Sequence, residues 1–296
     1  MINTNKVDLV EVSASGEIFT PEWPGVLYQA DEDGQVFILP GPGGIHYNIH
    51  VGDRAYGWEA AHPEPGASIR NPDYKANLPL ARLACVGNRA ILTSGDAEGE
   101  VGVVVGKGSN LAVAEGFPDM YHVIVHFTKS VLEHLAIGDK VLVRALGYGL
   151  SVKGHPDVVV KNCSPDLLDA LGLEENAEGS LVVPVVARVP SVMMGFGPGL
   201  NPEEGSHNIA VRDGIRRAEL GIANLRIGDM VALEDQDHRY GRAYRKGALT
   251  VGTVSYGDSP SPGHGPGVTT LLTCAQKGIA VRLDSEANLI RYLDLN

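Results

Sequence analysis

Along most of the chain, apolar and polar residues alternate in short runs that end at glycine, proline or aspartate. GQVFILP (34–40), RLACVGNRAILTS (82–94), EVGVVVG (100–106), YHVIVHF (121–127) and DKVLVRALG (139–147) carry the pattern in the first half. VPVVARV (183–189), DMVALED (229–235) and ALTVGTVSYG (248–257) carry it in the second. A period of two puts successive side chains on opposite faces, so each run predicts a half-buried strand closed by a turn. Helical spacing is scarce. SPDLLDALGL starts with Ser164 as N-cap and Pro165 in the first turn and stops at Gly172, predicting a short helix. FTKSVLEHLAIGD, capped by Thr128, and RDGIRRAELGIANL (212–225) predict two more.

One device repeats. LAIGDKVLV (135–143) and LRIGDMVAL (225–233) share L-x-I-G-D-x-V, and IHVGDRAYG (49–57) is a looser third copy. Glycine permits a positive φ, and an aspartate beside it accepts hydrogen bonds from its own turn. Asp53, Asp139 and Asp229 are therefore expected to be turn formers rather than catalysts. The two closer copies flank the 163–172 helix. The fold expected is mainly β: two β-rich, barrel-like lobes with a few short helices. The boundary is expected near residue 160, with a barrel-like unit over 1–160 and a β-rich unit over 161–296.

Composition narrows the function classes. A chain of 296 residues with a formal charge of -12 offers no basic stripe to track phosphates, so nucleic acid is not an expected partner. The opening MINTNKVDLVEVSASGEIFTPEW has neither the basic nor the apolar region of a secretory signal. No apolar run nears the ~20 residues of a spanning helix, so no membrane partner is expected. Cys85, Cys163 and Cys274 are widely spaced and odd in number, which suits buried free thiols and a reducing cytoplasm.

Candidate chemistry sits in two stretches. In GPGGIHYNIHVGD (41–53), a strand would align His46, Asn48 and His50 on one face, and AAHPEPG adds His62 and Glu64 on a proline-stiffened loop. His46, His50 and His62 are thus candidate ligands for one divalent metal (Zn, Mn, Fe or Ni), and Asn48 a substrate contact. The polar face of a half-exposed strand explains the same residues without a metal, and YHVIVHF repeats the pattern at His122 and His126. The second stretch, YGRAYRKGALTVGTVSYGDSPSPGHGPGVTTLLT (240–273), holds Arg242 and Arg245 as anchors for an anionic ligand. Gly263, Gly265 and Gly267 surround His264, a candidate general base. Their N–H groups would form an oxyanion nest, with Thr269 following as a substrate contact. Asp235, Asp237 and His238 read first as a solvated hairpin tip with local ion pairs, with binding of a divalent metal or positioning of a histidine as the alternative. No G-x-S-x-G elbow, H-E-x-x-H helix or nucleotide-binding glycine loop appears.

YNIHVGDRAYGWEAAHPEPGASI, VGNRAILTSGDAEGEVGVVVGK, LEHLAIGDKVLVRALGYGL and the 240–273 stretch together resemble the domain-of-unknown-function 4438 family over nearly the whole chain. The resemblance implies a β-rich protein with a barrel-like N-terminal part. It matches the family pattern at Asn48, Asp53, Glu64, Pro65, Gly66, Gly95, Asp96 and the GHGPGVTT stretch, but not at histidines 46 and 50. A fainter likeness, in GALTVGTVSYGD and AHPEPG, is to the acetamidase/formamidase family, and it implies hydrolysis of a C–N bond. The resulting expectation is a hydrolase for a small amide-like substrate, with or without a metal. His264, Glu64 and Asp96 are the catalytic candidates. A small-anion-binding module or a structural homo-oligomer are the alternatives, and a homo-oligomer is expected in either case.

Overall fold

The computed structural model describes residues 2–21, 28–110, 120–197 and 201–295. The N-terminal strands are β1 (Val12–Ile18), β2 (Gln29–Ala30), β3 (Val36–Phe37), β4 (Ile45–His46), β5 (Gly66–Arg70), β6 (Arg89–Leu92), β7 (Val101–Asn110), β8 (Met120–His126) and β9 (Lys140–Ala145). Six of them close into a barrel in the order β1-β9-β6-β7-β8-β5, with β5 returning to β1 through Ile18 opposite Ile69. The strand β4 adds to the outside of β5. Alternation along β8 sends Val123, Val125 and Phe127 into the barrel core, where Ile18, Ile69, Val104 and Val143 meet them. Closure leaves no free edge among these six strands.

The second unit contains β10 (Val158–Val160), β11 (Glu174–Glu175), β12 (Leu181–Val185), β13 (Ala187–Val189), β14 (Ser206–Asn208), β15 (Met230–Asp237), β16 (Ala243–Tyr256), β17 (Gly267–Cys274) and β18 (Ile279–Leu283). One sheet runs β10-β17-β16-β15-β13, with β14 also paired to β17, and a smaller one runs β11-β12-β18. The mainly β expectation holds. The outward residues of the barrel, Val105 and Ile124, share one core with Met230, Val251 and Leu272 of the second unit. A bulge at Val105 interrupts the β7–β8 register between Val104 and Gly106. Beyond it, the Lys107 N–H donates to Thr269 Oγ1 at 3.1 Å, and a Cβ on Gly106 would meet the Ser255 Cβ at 2.4 Å. The end of β7 therefore lies directly on β16 and β17.

Among the described residues, five short α-helices complete the fold: α1 (Tyr74–Leu83), α2 (Lys129–Leu132), α3 (Pro165–Ala170), α4 (Gly214–Glu219) and α5 (Leu289–Leu293). Ser164 caps α3 by accepting from the Leu167 N–H. Helices α1 and α5 are not visible in the hydrophobic pattern. Asp73 caps α1 and Leu80 and Ala81 bury it against the barrel, so only Arg89–Leu92 of the expected 82–94 strand is extended. The Gly-Asp turns form as expected. In each, the aspartate accepts the N–H three residues before it: His50 to Asp53 at 2.8 Å, Ala136 to Asp139 at 2.8 Å and Arg226 to Asp229 at 2.7 Å. The Asp53 and Asp229 copies interlock, with Gly52 N–H donating to Ile227 O and Ile227 N–H to Asp53 O.

The stretch 41–53 is a correction. Only Ile45–His46 is strand; the chain turns at 47–48, so His46, Asn48 and His50 do not form a ladder. Gly43 and Gly44, at φ 93° and 77°, start the bend, and the Asp53 turn ends it. Alternating residue types cannot show this, because turn geometry overrides the period of two.

Candidate functional site

Two backbone bonds lock an N-terminal loop to a C-terminal one. His62 N–H donates to Asp258 O, and Gly257 N–H donates to Pro63 O, both at 2.9 Å. His62 adopts φ 56°, a left-handed conformation that costs a non-glycine residue roughly 1–2 kcal/mol. Its imidazole is thereby brought to His264, with Nε2 2.9 Å from His264 Nδ1. Phe196 stacks on the His264 ring at 4.8 Å, and the Tyr256 ring meets His62 edge-on at 5.0 Å. Arg212 staples the loop from outside, donating to Asp258 Oδ2 and to the carbonyls of Ser259 and Ser261. Burial, reinforced by His264, pushes the His62 pKa down to about 3. Burial and then the Arg212 charge lower that of His264.

The proton positions follow from the acceptor at the end of this chain. His62 Nδ1 lies 3.4 Å from Gly257 O, a carbonyl that can only accept. A neutral His62 carrying its proton on Nδ1 accepts at Nε2, so His264 donates from Nδ1. The Nε2 of His264 is then an unprotonated nitrogen at neutral pH.

Beside this pair lies an acidic centre. Glu64 is 1% exposed. Its Oε2 accepts from Gly43 N–H at 2.9 Å and Ser68 Oγ at 2.5 Å, and its Oε1 meets His122 Nε2 at 2.5 Å. Burial works to raise the Glu64 pKa, but His122 and Ser68 outweigh it and hold the carboxyl below its ordinary value. Gly108 makes room for the contact, since a Cβ there would lie 2.1 Å from His122 Nε2. His122 thus enters through the alternation of β8, facing the second unit rather than the barrel core.

The glycine loop does not form an open oxyanion nest. Gly265 N–H donates to Asn208 Oδ1 at 3.1 Å, and His264 N–H donates to Ser261 O at 3.1 Å. Gly267 is already in β17. The glycines serve close approach instead: a Cβ on Gly267 would meet the Tyr256 ring at 2.1 Å, and one on Gly265 would meet Ile209 O at 2.0 Å. Tyr256 Oη in turn bonds Ser206 Oγ and receives Asn208 Nδ2 at 3.3 Å. Burial raises its pKa.

The remaining candidates disperse. Asn48 and Asp96 are exposed. Asp96 sits in the β6–β7 hairpin, before the start of β7 at Val101, and Val101 is itself roughly 20 Å from Gly108 at strand rise. His46, at the end of β4, lies near Glu64, and burial lowers its pKa. His50 starts the Asp53 turn. Among the described residues, no group of three or more His, Cys, Asp or Glu side chains is arranged to hold a metal ion, and His46, His50 and His62 do not converge. Arg245 is 51% exposed and pairs with Asp237 on the hairpin surface. Arg242 instead turns inward, where burial lowers its pKa to about 10. Thr269 is a link between units, holding Lys107 N–H and Ser255 Oγ. The expected free thiols are present: Cys85, Cys163 and Cys274 are buried and unbridged.

Sequence reasoning missed Tyr256, Asn208 and Arg212 as parts of the site. It also missed Lys107, fully buried, whose amine donates to Asn162 Oδ1 and Glu203 O at 2.6 Å each. Burial lowers its pKa to about 8. The order L-x-I-G-D marked the turns, but nothing in NPEEGSHNIAV signalled that Ser206 and Asn208 would meet Tyr256.

A closed barrel joined to a second β-rich unit, with buried histidines and an acid at the junction, defines the class of this protein. Models described as Domain of unknown function (DUF4438), N-terminal, and (DUF4438), C-terminal, match residues 28–169 and 170–293. The chain belongs to the DUF4438 family. Among solved structures, the crystal structure of TM1086 is similar, at 40% identity over 99% of each chain with a TM-score of 0.91. No curated protein matches. Among the described residues, no helix is long and apolar enough to cross a membrane.

Proposed function

We propose that this protein is a hydrolase of a small amide-like substrate, with His264 as general base. The observation that carries the reading is the His62–His264 pair at 2.9 Å, whose hydrogen-bond chain leaves His264 Nε2 without a proton. In the reaction, a water oxygen attacks the carbonyl carbon while His264 Nε2 takes one of its protons. The tetrahedral intermediate then collapses. The C–N bond breaks, and the imidazolium returns the proton to the leaving nitrogen, giving a carboxylic acid and an amine. His62 holds the tautomer of His264 and is a positioning residue. The Glu64–His122 pair fixes a compact charge arrangement beside it. The short GALTVGTVSYGD and AHPEPG likeness to acetamidases and formamidases favours C–N over other acyl bonds.

The test is ammonia release from a panel of small carboxamides. His264→Gln is expected to lower kcat about 10²–10⁴-fold with KM little changed. Full activity in His264→Gln would overturn the assignment of the base. Carboxamides that bind without any turnover would instead make the protein a ligand-binding module.

A further inference from the structure

We infer that the β2–β3 ribbon is a flap on the His62–His264 pair, and that Glu32, which latches it to Arg212, is a positioning residue for the base. The inference rests on the reading of His264 Nε2 as the working atom. Among the described residues, β2 and β3 form a sheet of their own, with Gln29 opposite Phe37 and Ala30 opposite Val36. Asp31 closes their turn, accepting the N–H groups of Asp33 and Gln35 at 3.0 and 2.7 Å. Three polar contacts tie residues 28–40 to the rest of the described chain. Pro40 O accepts from Ala61 N–H at 2.9 Å, next to His62. Gln29 Oε1 accepts from Ser261 Oγ at 3.3 Å, and the Ser261 carbonyl holds the His264 N–H. Glu32 Oε2 lies 3.3 Å from Arg212 Nε. Every tether therefore lands on the His62 loop, on the His264 loop or on the arginine that staples the latter.

The ribbon is held down weakly. A two-stranded hairpin is marginal in water unless it buries an apolar face against something else. Tyr28, Val36 and Ile38 are 60%, 62% and 59% exposed, so this ribbon leaves most of that driving force unused. The Arg212–Glu32 pair is itself part-exposed, and such pairs contribute little. Few buried apolar contacts and solvent-facing tethers are the marks of a segment that opens without the rest of the fold.

The latch also reaches the base. His264 is faced by the neutral His62 ring, by Phe196 and by the charge of Arg212. Tyr256 and Glu64 act on His62 instead. The Arg212 cation disfavours the imidazolium of His264. Two carboxylates offset that cation: Asp258, 3.0 Å from its Nη1 and part of the same loop, and Glu32 on the ribbon. With the ribbon down, Glu32 tempers Arg212 and His264 is the stronger base. With the ribbon raised, that carboxylate leaves, the base weakens and its Nε2 is open to an entering substrate. Opening to admit and closing to complete the site is how lids serve catalysis.

The experiment compares the parent protein with Glu32→Gln, which keeps the shape of the latch and removes its charge. By hydrogen exchange, the amides of 29–30 and 36–37 in the parent should exchange at least about a hundredfold faster than those of β9. In Glu32→Gln they should exchange about two- to fivefold faster still, the fold-change of one surface ion pair. Diethyl pyrocarbonate, which acylates unprotonated imidazole nitrogen, should modify His264 faster by the same factor, with the exposed His134 unchanged as the control. In spectra of 15N-histidine-labelled protein, His264 should titrate at lower pH in the variant. Ribbon amides as slow as those of β9 would overturn the flap. Unchanged reactivity of His264 in Glu32→Gln, or a titration that stays in place or moves to higher pH, would overturn the latch. Because turnover is not read, the flap can fail while the hydrolase stands, and the reverse.

Discussion

His62 and His264 are separated by 202 residues in the chain and by 2.9 Å between ring nitrogens. The contact rests on backbone pairing of 62–63 with 257–258, so it belongs to the junction and to neither half alone. His62→Phe keeps an aromatic ring against Tyr256 but removes the acceptor for His264 Nδ1–H. We expect kcat for carboxamide hydrolysis to fall about 10–100-fold while KM stays within about twofold, and the pH–rate profile to move. An unchanged pH profile would show that His62 does not set the state of His264.

Gly108 lets His122 and Glu64 meet. Gly108→Ala would place a methyl group 2.1 Å from His122 Nε2 and 2.9 Å from Glu64 Oε1. Parting a buried pair costs about 3–5 kcal/mol, and a partial separation here should cost about 3. His122→Ala should cost more, because it leaves Glu64 Oε1 buried without its His122 partner. Urea denaturation midpoints check the order; equal stability of Gly108→Ala and the parent protein would contradict the geometry.

Acid should weaken the fold before the carboxylates titrate. His62, His207, His238 and His264 all have pKa values below the ordinary 6.5, chiefly through burial. Below pH 6.5 the unfolded chain therefore binds more protons than the folded one, and stability falls as the pH drops toward the folded values near 4 and 3. The midpoint in urea should be lower at pH 5 than at pH 7, with a shallower slope in His62→Phe. A flat profile between those two values would count against buried neutral histidines.

The three Gly-Asp turns should differ in worth. Asp139 accepts one turn N–H, whereas Asp229 is fully buried and also holds Arg226 and the Asn288 amide. Asp139→Ala is expected to cost about 1 kcal/mol. Asp229→Ala should cost roughly twice that or more, since it strands buried donors. Chemical denaturation of the two variants makes the comparison, and a larger loss at Asp139 would reverse the argument.

The chain determines its strands, its Gly-Asp turns and the cap of α3 by itself, because each depends on residues within a few positions of one another. Alternation placed His122 on the outward face of β8, and the GD spacing placed Asp53, Asp139 and Asp229 in matching turns. The tertiary structure alone decided which polar residues share a site. It sent Asp96 to a distant hairpin, turned Arg242 inward and Arg245 outward, and gave Gly265 N–H to Asn208. Those outcomes depend on how the barrel lies on the second sheet, through the β7 bulge and the paired loops at 62–63 and 257–258. Packing between segments far apart in the chain leaves no local period or spacing in either of them.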